Sequence, residues 1–398
     1  MVSSMSRFSH KVHSHKLSSS YISLMDQIIL YTLPVFALMI AAEWAYGWKT
    51  NRNTYRLNDS ISSLSQGLLS QAVAVCTKLL QIGLYSLFFK YFALHRAPAF
   101  WHSAVGWLLA VVLFDFFDYW LHRAGHEVAI LWAAHVVHHQ SEEFNFSTAL
   151  RQESFVPIFG WIFYLPMALL GVPPEQFALA GLIVLVYQFW IHTQHIGKLG
   201  WFDRVFSSPS NHRVHHAINP QYLDKNYGGM LIIWDRLFGT FAEEDEKCVF
   251  GTKSPLTSWN PLRAVGNGYL SLARQTLQTR SWHKKVALWL MPPACLENSG
   301  ADEMAPIHIR KRFDPTLGRA SAVTATAVFL LMLAATAWLL LRTDDIDWVH
   351  RAIAAAAITT GLTGVGLVLQ ATLRQRAAML LLCAALVPLY VSLRWSLH

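Results

Sequence analysis

The chain has 398 residues, 54% of them apolar and only 14% charged, with a mean hydropathy of +0.31. A soluble domain carries about a quarter charged residues, so the composition excludes an ordinary soluble enzyme and makes the bilayer the solvent for much of the fold. The net charge of +8 is spread through loops between apolar blocks, which fits membrane topology and argues against nucleic acid as a partner; four scattered cysteines without a CxxC pair exclude a disulfide framework and a thiolate metal site.

Residues 1–27 form a polar, basic tail. The apolar run after it is long, holds Pro34 and Glu43, and lacks a small-residue cleavage site, so it reads as an uncleaved span. A span needs about 20 mostly apolar residues. The candidates are 28–48, 69–92, 104–121, 155–172, 177–191, 320–341, 352–370 and 377–394. Gln71, Lys78 and Gln81 interrupt the second, and the fifth is short unless it continues to His195. If 104–121 ends on one face of the membrane, 155–172 leaves that face and 177–191 returns to it. His122–His139 and His192–His216 then share a face with segment 195–319, which holds 16 of the 32 Lys and Arg residues. Positive residues favour the cytoplasm, so the histidines are expected at the cytosolic surface. Pro and Gly breaks in 195–319 predict short helices and turns.

The expected architecture is an all-α integral membrane protein, a multi-span helical bundle with a cytosolic helical cap carrying a histidine-rich dimetal site. The expected parts are the tail 1–27, a core with its cap at 28–319, and a C-terminal three-span hydrophobic region at 320–398 serving as lipid-facing scaffold or dimer surface. The host membrane would be the endoplasmic reticulum in a eukaryote and the inner membrane in a bacterium.

Ten of the 19 histidines lie between residues 122 and 216. His122 and His126 are four apart, the spacing that stacks two side chains on one helix face. His135, His138 and His139 follow as HxxHH, and His212, His215 and His216 repeat that pattern. His192 ends the fifth span, with His195 three residues on. So many neutral imidazoles cannot be buried cheaply without partners, and transition metals are the natural partner of imidazole nitrogen. Four ligands satisfy a structural zinc, so nine point to two metal ions. Open positions on all-histidine sites suit iron that binds dioxygen. The histidines of the tail, and His95, His102, His283, His308, His350 and His398, are read as solvated or interfacial.

These spacings resemble the fatty acid hydroxylase/sterol desaturase superfamily of membrane di-iron oxidases, over roughly residues 30–280. The match is carried by His122 and His126, by HxxHH at His135–His139, by His192, and by HxxHH at His212–His216. Within it, the chain looks most like the alkylglycerol monooxygenase branch, through Glu127 and the STALRQ and DKNYGG runs. The resemblance implies two Fe ions, dioxygen, a lipid substrate, and hydroxylation of the ether-linked carbon of alkylglycerols to a hemiacetal that collapses to fatty aldehyde and glycerol. It also implies tetrahydrobiopterin as reductant, although no pterin motif is readable and the electron donor stays open. The alternatives are a sterol or fatty-acyl hydroxylase or desaturase on the same scaffold and, from another class, a membrane metal transporter.

Where some members of the superfamily have a further HxxxH, this chain has Gln188 and His192. Gln188, water and His195 are the alternatives for completing the second metal. Glu127 and Asp118 are the expected proton-handling or ring-orienting acids, and Asp118 lies four residues before His122. Asn211, Asp224, Asn226 and Tyr227 flank the last HxxHH and are candidates for orienting its rings. Gly228 and Gly229 are expected to permit positive φ in a turn. Phe144, Phe146, Trp161, Phe163, Tyr164, Tyr187, Phe189 and Trp190 are candidates for an acyl channel.

Overall fold

The computed structural model describes residue 28 and residues 31–293, 312–343 and 345–371. The tail 1–27 and the expected span 377–394 lie outside the described residues. Among the described residues the fold is helical, with two isolated antiparallel bridges, Phe206 to Leu231 and Ala217 to Phe250, and no strand.

Helix α1 (31–49) occupies the first apolar run. Helix α2 (Leu57–Phe92) begins twelve residues before the expected span and bends by 44° between Thr77 and Leu80. The extension reads LNDSISSLSQG, too polar for lipid. It is helical because it is buried in protein: Asp59 accepts from the Ser141 hydroxyl, Ser62 from Arg151, and the Gln66 amide donates to the Pro261 carbonyl. Helix α3 (Ala104–Glu127) continues past the expected end at 121 and carries both His122 and His126. At Val128 the backbone turns extended, and α4 (Ala129–His139) folds back beside α3.

The expected span 155–172 is not one helix. It breaks into Val156–Gly160, a 3₁₀ turn at Trp161–Tyr164, and Leu165–Leu170, ending at Gly171 with φ +91°. Pro157 and Pro166 each remove a backbone donor. The next helix, α5 (Pro174–Trp190), has 17 residues, about 25 Å at 1.5 Å per residue. The cap contributes α6 (Pro209–His215) and α7 (Pro261–Gln278). Two long apolar helices follow, α8 (Arg319–Leu341) and α9 (Trp348–Leu369). Helices α3, α8 and α9 are each long and apolar enough to cross a membrane, and α2 qualifies if its two limbs make one span.

A buried carboxylate closes the polar end of α1. Glu43 accepts from the hydroxyls of Tyr55 and Thr193 and, at 2.9 Å, from the Phe146 backbone N–H. One side chain thereby ties α1 to the segments that follow α4 and α5.

Candidate metal centre

The structure places all nine singled-out histidines of the three motifs and His192 in two adjoining clusters. His122, His126, His135, His139 and His215 form one; His138, His192, His212 and His216 form the other. Within each cluster the potential ligand atoms lie within 4.8 Å of one another. The two meet where the rings of His139 and His216 stack at 4.4 Å. The spacing explains the assembly. On α3 and α4, residues four apart share a face, so His122 with His126 and His135 with His139 converge on the first cluster. His138 is rotated by one residue from His139 and turns to the second.

The ring orientations are fixed from behind. Nδ1 of His122 donates to the Tyr227 carbonyl at 2.7 Å, that of His138 to Arg151 at 3.0 Å, that of His192 to Gln188 at 2.8 Å, and that of His215 to Lys225 at 3.1 Å. A carbonyl only accepts, so each Nδ1 carries the proton and each Nε2 is a bare lone pair. The Nε2 atoms of His138 and His192 then face each other at 3.3 Å. Those of His122 and His215 are buried without a partner. Opposed lone pairs in an apolar interior repel unless a cation lies between them. Adjacent ligands about 2.1 Å from a metal sit about 3 Å apart, which is the spacing seen. Burial, reinforced by neighbouring rings, pushes His138, His139, His192, His212, His215 and His216 below the ordinary imidazole value of 6.5. They are neutral at pH 7, as metal ligation requires. The residues fit a pair of imidazole-loving metal ions.

The acids differ from expectation. Glu127 points outward, its side chain 46% exposed, and pairs with Arg123 at 2.9 Å. One residue past His126 is about 100° round the helix, and that turn carries it off the ring face. The carboxylate that reaches a ring is Glu153, which accepts from His135 Nδ1 at 2.6 Å. Burial alone would raise Glu153, but the His135 hydrogen bond and the neighbouring rings outweigh it and hold the carboxyl below its ordinary range. Asp118 touches no histidine; it accepts from the Tyr164 hydroxyl at 2.8 Å and the Gln188 amide at 3.4 Å. Among the acids of the cap, Asp224 comes nearest to His126, 3.9 Å from its Nδ1.

Neither His195 nor Gln188, two of the alternatives for completing the second site, joins a cluster. His195 packs edge-on against Tyr46 of α1, ring centroids 5.1 Å apart. Gln188 serves through its carbonyl, behind His192, while its amide faces Asp118. Asn211 and Asn226 brace the loop beneath α6: Asn226 donates to the carbonyls of Asn211 and Ala242, and Asn211 to those of Asp203 and Phe206. The positive φ values fall on Asp224 and Asn226, both +58°, rather than on Gly228 and Gly229. Those glycines are needed for close approach. A Cβ on Gly228 would lie 2.5 Å from the Leu231 carbonyl oxygen, and one on Gly229 2.8 Å from the Gln188 amide nitrogen.

Three buried side chains support this end of the fold, and two of them, Arg151 and Asp235, were missed in the sequence. Arg151, fully buried, donates to the Val137 carbonyl, the Ser62 hydroxyl and Gln140 while its own carbonyl holds His138. Asp235 accepts the backbone N–H groups of Tyr227 and Gly228, fixing the carbonyl behind His122. Asp115 accepts those of Met230 and Leu231 and the Trp234 indole, fastening the same loop to α3. Glu153 and Arg151 lie in the ALRQES run, where charge inside an apolar region was the available signal.

A cavity of about 810 Å³ opens onto the rings. His122 and His135 of the first cluster and His138 and His192 of the second line one end, with Asp118, Gln152, Glu153, Tyr164 and Gln188. The rest is mostly apolar, walled by α1, α2, α5 and α8. Of the eight aromatics proposed for a channel, Tyr164 and Phe189 line it; Phe144 stacks on His192 instead, at 5.3 Å.

Residues 107–240, which contain every histidine of both clusters, match the fatty acid hydroxylase family model. Over this third of its length the chain is similar to the fatty acid hydroxylase family. It is 45% identical over 224 residues to the alkylglycerol monooxygenase of Danio rerio, covering 56% of this chain and 50% of that protein. The alkylglycerol monooxygenase of Xenopus tropicalis is 41% identical over 228 residues, 57% of this chain and 50% of its own length. That of Homo sapiens is 37% identical over 261 residues, 65% and 58%. The matched part of the chain thus spans about half the length of these relatives. No solved structure matches.

Proposed function

We propose that this protein is a dioxygen-dependent monooxygenase that hydroxylates the ether-linked carbon of alkylglycerols. The observation that carries the reading is the cavity: an apolar space of lipid size ends on two adjoining histidine clusters, and both clusters line it. Pockets that enclose most of a small ligand run to about 300–1,000 Å³.

In this reading the nine histidines hold two iron ions, which supply activation of dioxygen when bound. The reaction adds one oxygen atom to the carbon beside the ether oxygen and releases the other as water, using two electrons and two protons. The hemiacetal then breaks its C–O bond to give a fatty aldehyde and glycerol. The protein's part is to hold and orient. Asp118, Tyr164 and Gln188 form a polar group beside the rings, placed to hydrogen-bond the glyceryl hydroxyls while the alkyl chain extends into the apolar cavity. Glu153 fixes the tautomer of His135. The apolar walls exclude water from the reacting carbon. The histidine face is assigned to the cytosol on the cations of 195–319, and reduced tetrahydrobiopterin is the reductant to try first.

Membranes containing the protein, given alkylglycerol, oxygen and reduced pterin, are expected to release fatty aldehyde, and His138→Ala to abolish it with membrane insertion intact. Sterol is run beside it. Oxidation of sterol and not alkylglycerol overturns the substrate assignment, and full activity in His138→Ala overturns the ligand assignment.

A further inference from the structure

The C-terminal helices were expected to be scaffold, and they lie outside the residues that match the family. Yet α8 presents Phe329, Leu333, Thr336, Ala337 and Leu340 to the cavity. These positions follow helical spacing and share one face. Val323, Leu330 and Leu331 of the same helix are exposed. From Phe329 to Leu340 is eleven steps, about 16 Å at 1.5 Å per residue. That is about half of the roughly 30 Å hydrocarbon core, the depth taken by one leaflet's chains. The cavity face of α8 carries no charge, and Thr336 returns its hydroxyl to the Met332 carbonyl at 2.8 Å.

The wall is also held firmly. Gly361 of α9 packs so close to Met332 that a Cβ there would lie 2.2 Å from its sulfur. The approach to α8 is tied to the start of α2, since the Asn58 amide donates to Asp314 at 3.0 Å and to the Pro315 carbonyl at 3.3 Å. Helices α2 and α8 therefore set out from the cap together, and positions later in α8 lie farther from it.

We propose that α8 gauges the substrate's alkyl chain, with Ala337 and Leu340 setting the longest chain the cavity accepts. This rests on the reading of the site as an oxidase of alkyl lipids. A gauge needs an unreactive, immobile wall at a fixed distance from the reacting centre, and this face of α8 is apolar, buttressed and continuous with the histidine end. The occupant is a single saturated chain whose polar end sits at the rings.

The test uses full-length protein and 1-O-alkylglycerols of graded chain length, in two measurements. Aldehyde release gives kcat/KM for each length. Displacement of a fluorescent alkyl probe gives binding without turnover. Ala337→Phe should lower kcat/KM and binding for the longest chains relative to the shortest by at least about tenfold, since one methylene in a tight apolar pocket is worth that much. Ala337→Val should shift the ratio in the same direction by less, and Leu340→Ala should shift it towards longer chains. Leu330→Phe, on the exposed face, should leave it unchanged. Metal content equal to the parent's certifies each variant as folded; if Ala337→Phe fails that check, Ala337→Val and Leu340→Ala decide. Chain-length ratios unmoved in the folded cavity variants, or moved equally in Leu330→Phe, overturn the proposal. If the parent oxidises no alkylglycerol, the oxidase reading fails, while the binding series still decides the gauge.

Discussion

The two ends of the cavity are built on opposite principles. At the histidine end, four rings are held by the backbone: His122, His138, His192 and His215 each meet a carbonyl, that of Tyr227 fixed by Asp235, that of Arg151 on a residue itself tied to Val137 and Ser62, and that of Gln188 within α5. At the alkyl end, the side chains from α1, α2, α5 and α8 are mostly apolar, with Gln71 and Gln81 of α2 among the few polar ones. Substitution should therefore act sharply at the first end and in a graded way at the second, because a buried polar group left unpaired costs more than a change in apolar volume.

The largest effect should come from removing a ring. His212→Ala and His215→Ala belong to different clusters. Each should abolish aldehyde release and remove the metal of its own cluster, read as a drop in bound metal per chain. If either variant keeps full activity and metal, the paired-cluster account breaks. Next is the support behind a ring. Glu153→Gln should weaken metal binding by about 10–100-fold, the usual effect of losing a group that orients a ligand, measured by chelator competition. The same measurement on Glu127→Gln should show metal binding unchanged, because Glu127 pairs with Arg123 on the exterior. Equal loss in both would erase the distinction between inner and outer acid.

A smaller effect is expected where ring support ends and substrate contact begins. Asp118→Asn should raise KM for alkylglycerol by about tenfold, the scale of one hydrogen bond to a charged group, with kcat and metal content little changed. A collapse in kcat or loss of metal would move Asp118 from positioning substrate to supporting the rings. The smallest effect should be at the surface: Lys198→Ala, which breaks an exposed pair with Glu243 at 2.9 Å, should leave Tm nearly constant, because solvent screens such a pair.

This contrast also governs what was legible in the sequence. The cage was legible because helical spacing is local. HxxxH and HxxHH each place rings on one face whatever the rest of the chain does, whereas the expected span 155–172 breaks into short pieces around Pro157 and Pro166. The acid partner was not legible. Glu127 adjoins a histidine in sequence yet faces away, whereas Glu153 is 18 residues from His135 and reaches it through the packing of a loop on α4. The start of α2 was missed because LNDSISSLSQG is polar, and only the buried partners Ser141, Arg151 and Pro261 make a helix of it. The role of α8 was missed for the opposite reason. An apolar helix looks the same to the sequence whether it faces lipid or a cavity, and its neighbours decide.

The account's central claim is that the histidines form two adjoining metal sites on one cavity. The most direct test is the ratio of iron to protein, by elemental analysis of the full chain purified anaerobically with iron supplied. The account predicts about two ions per chain, one for each cluster. A ratio of one or none in folded protein would contradict it.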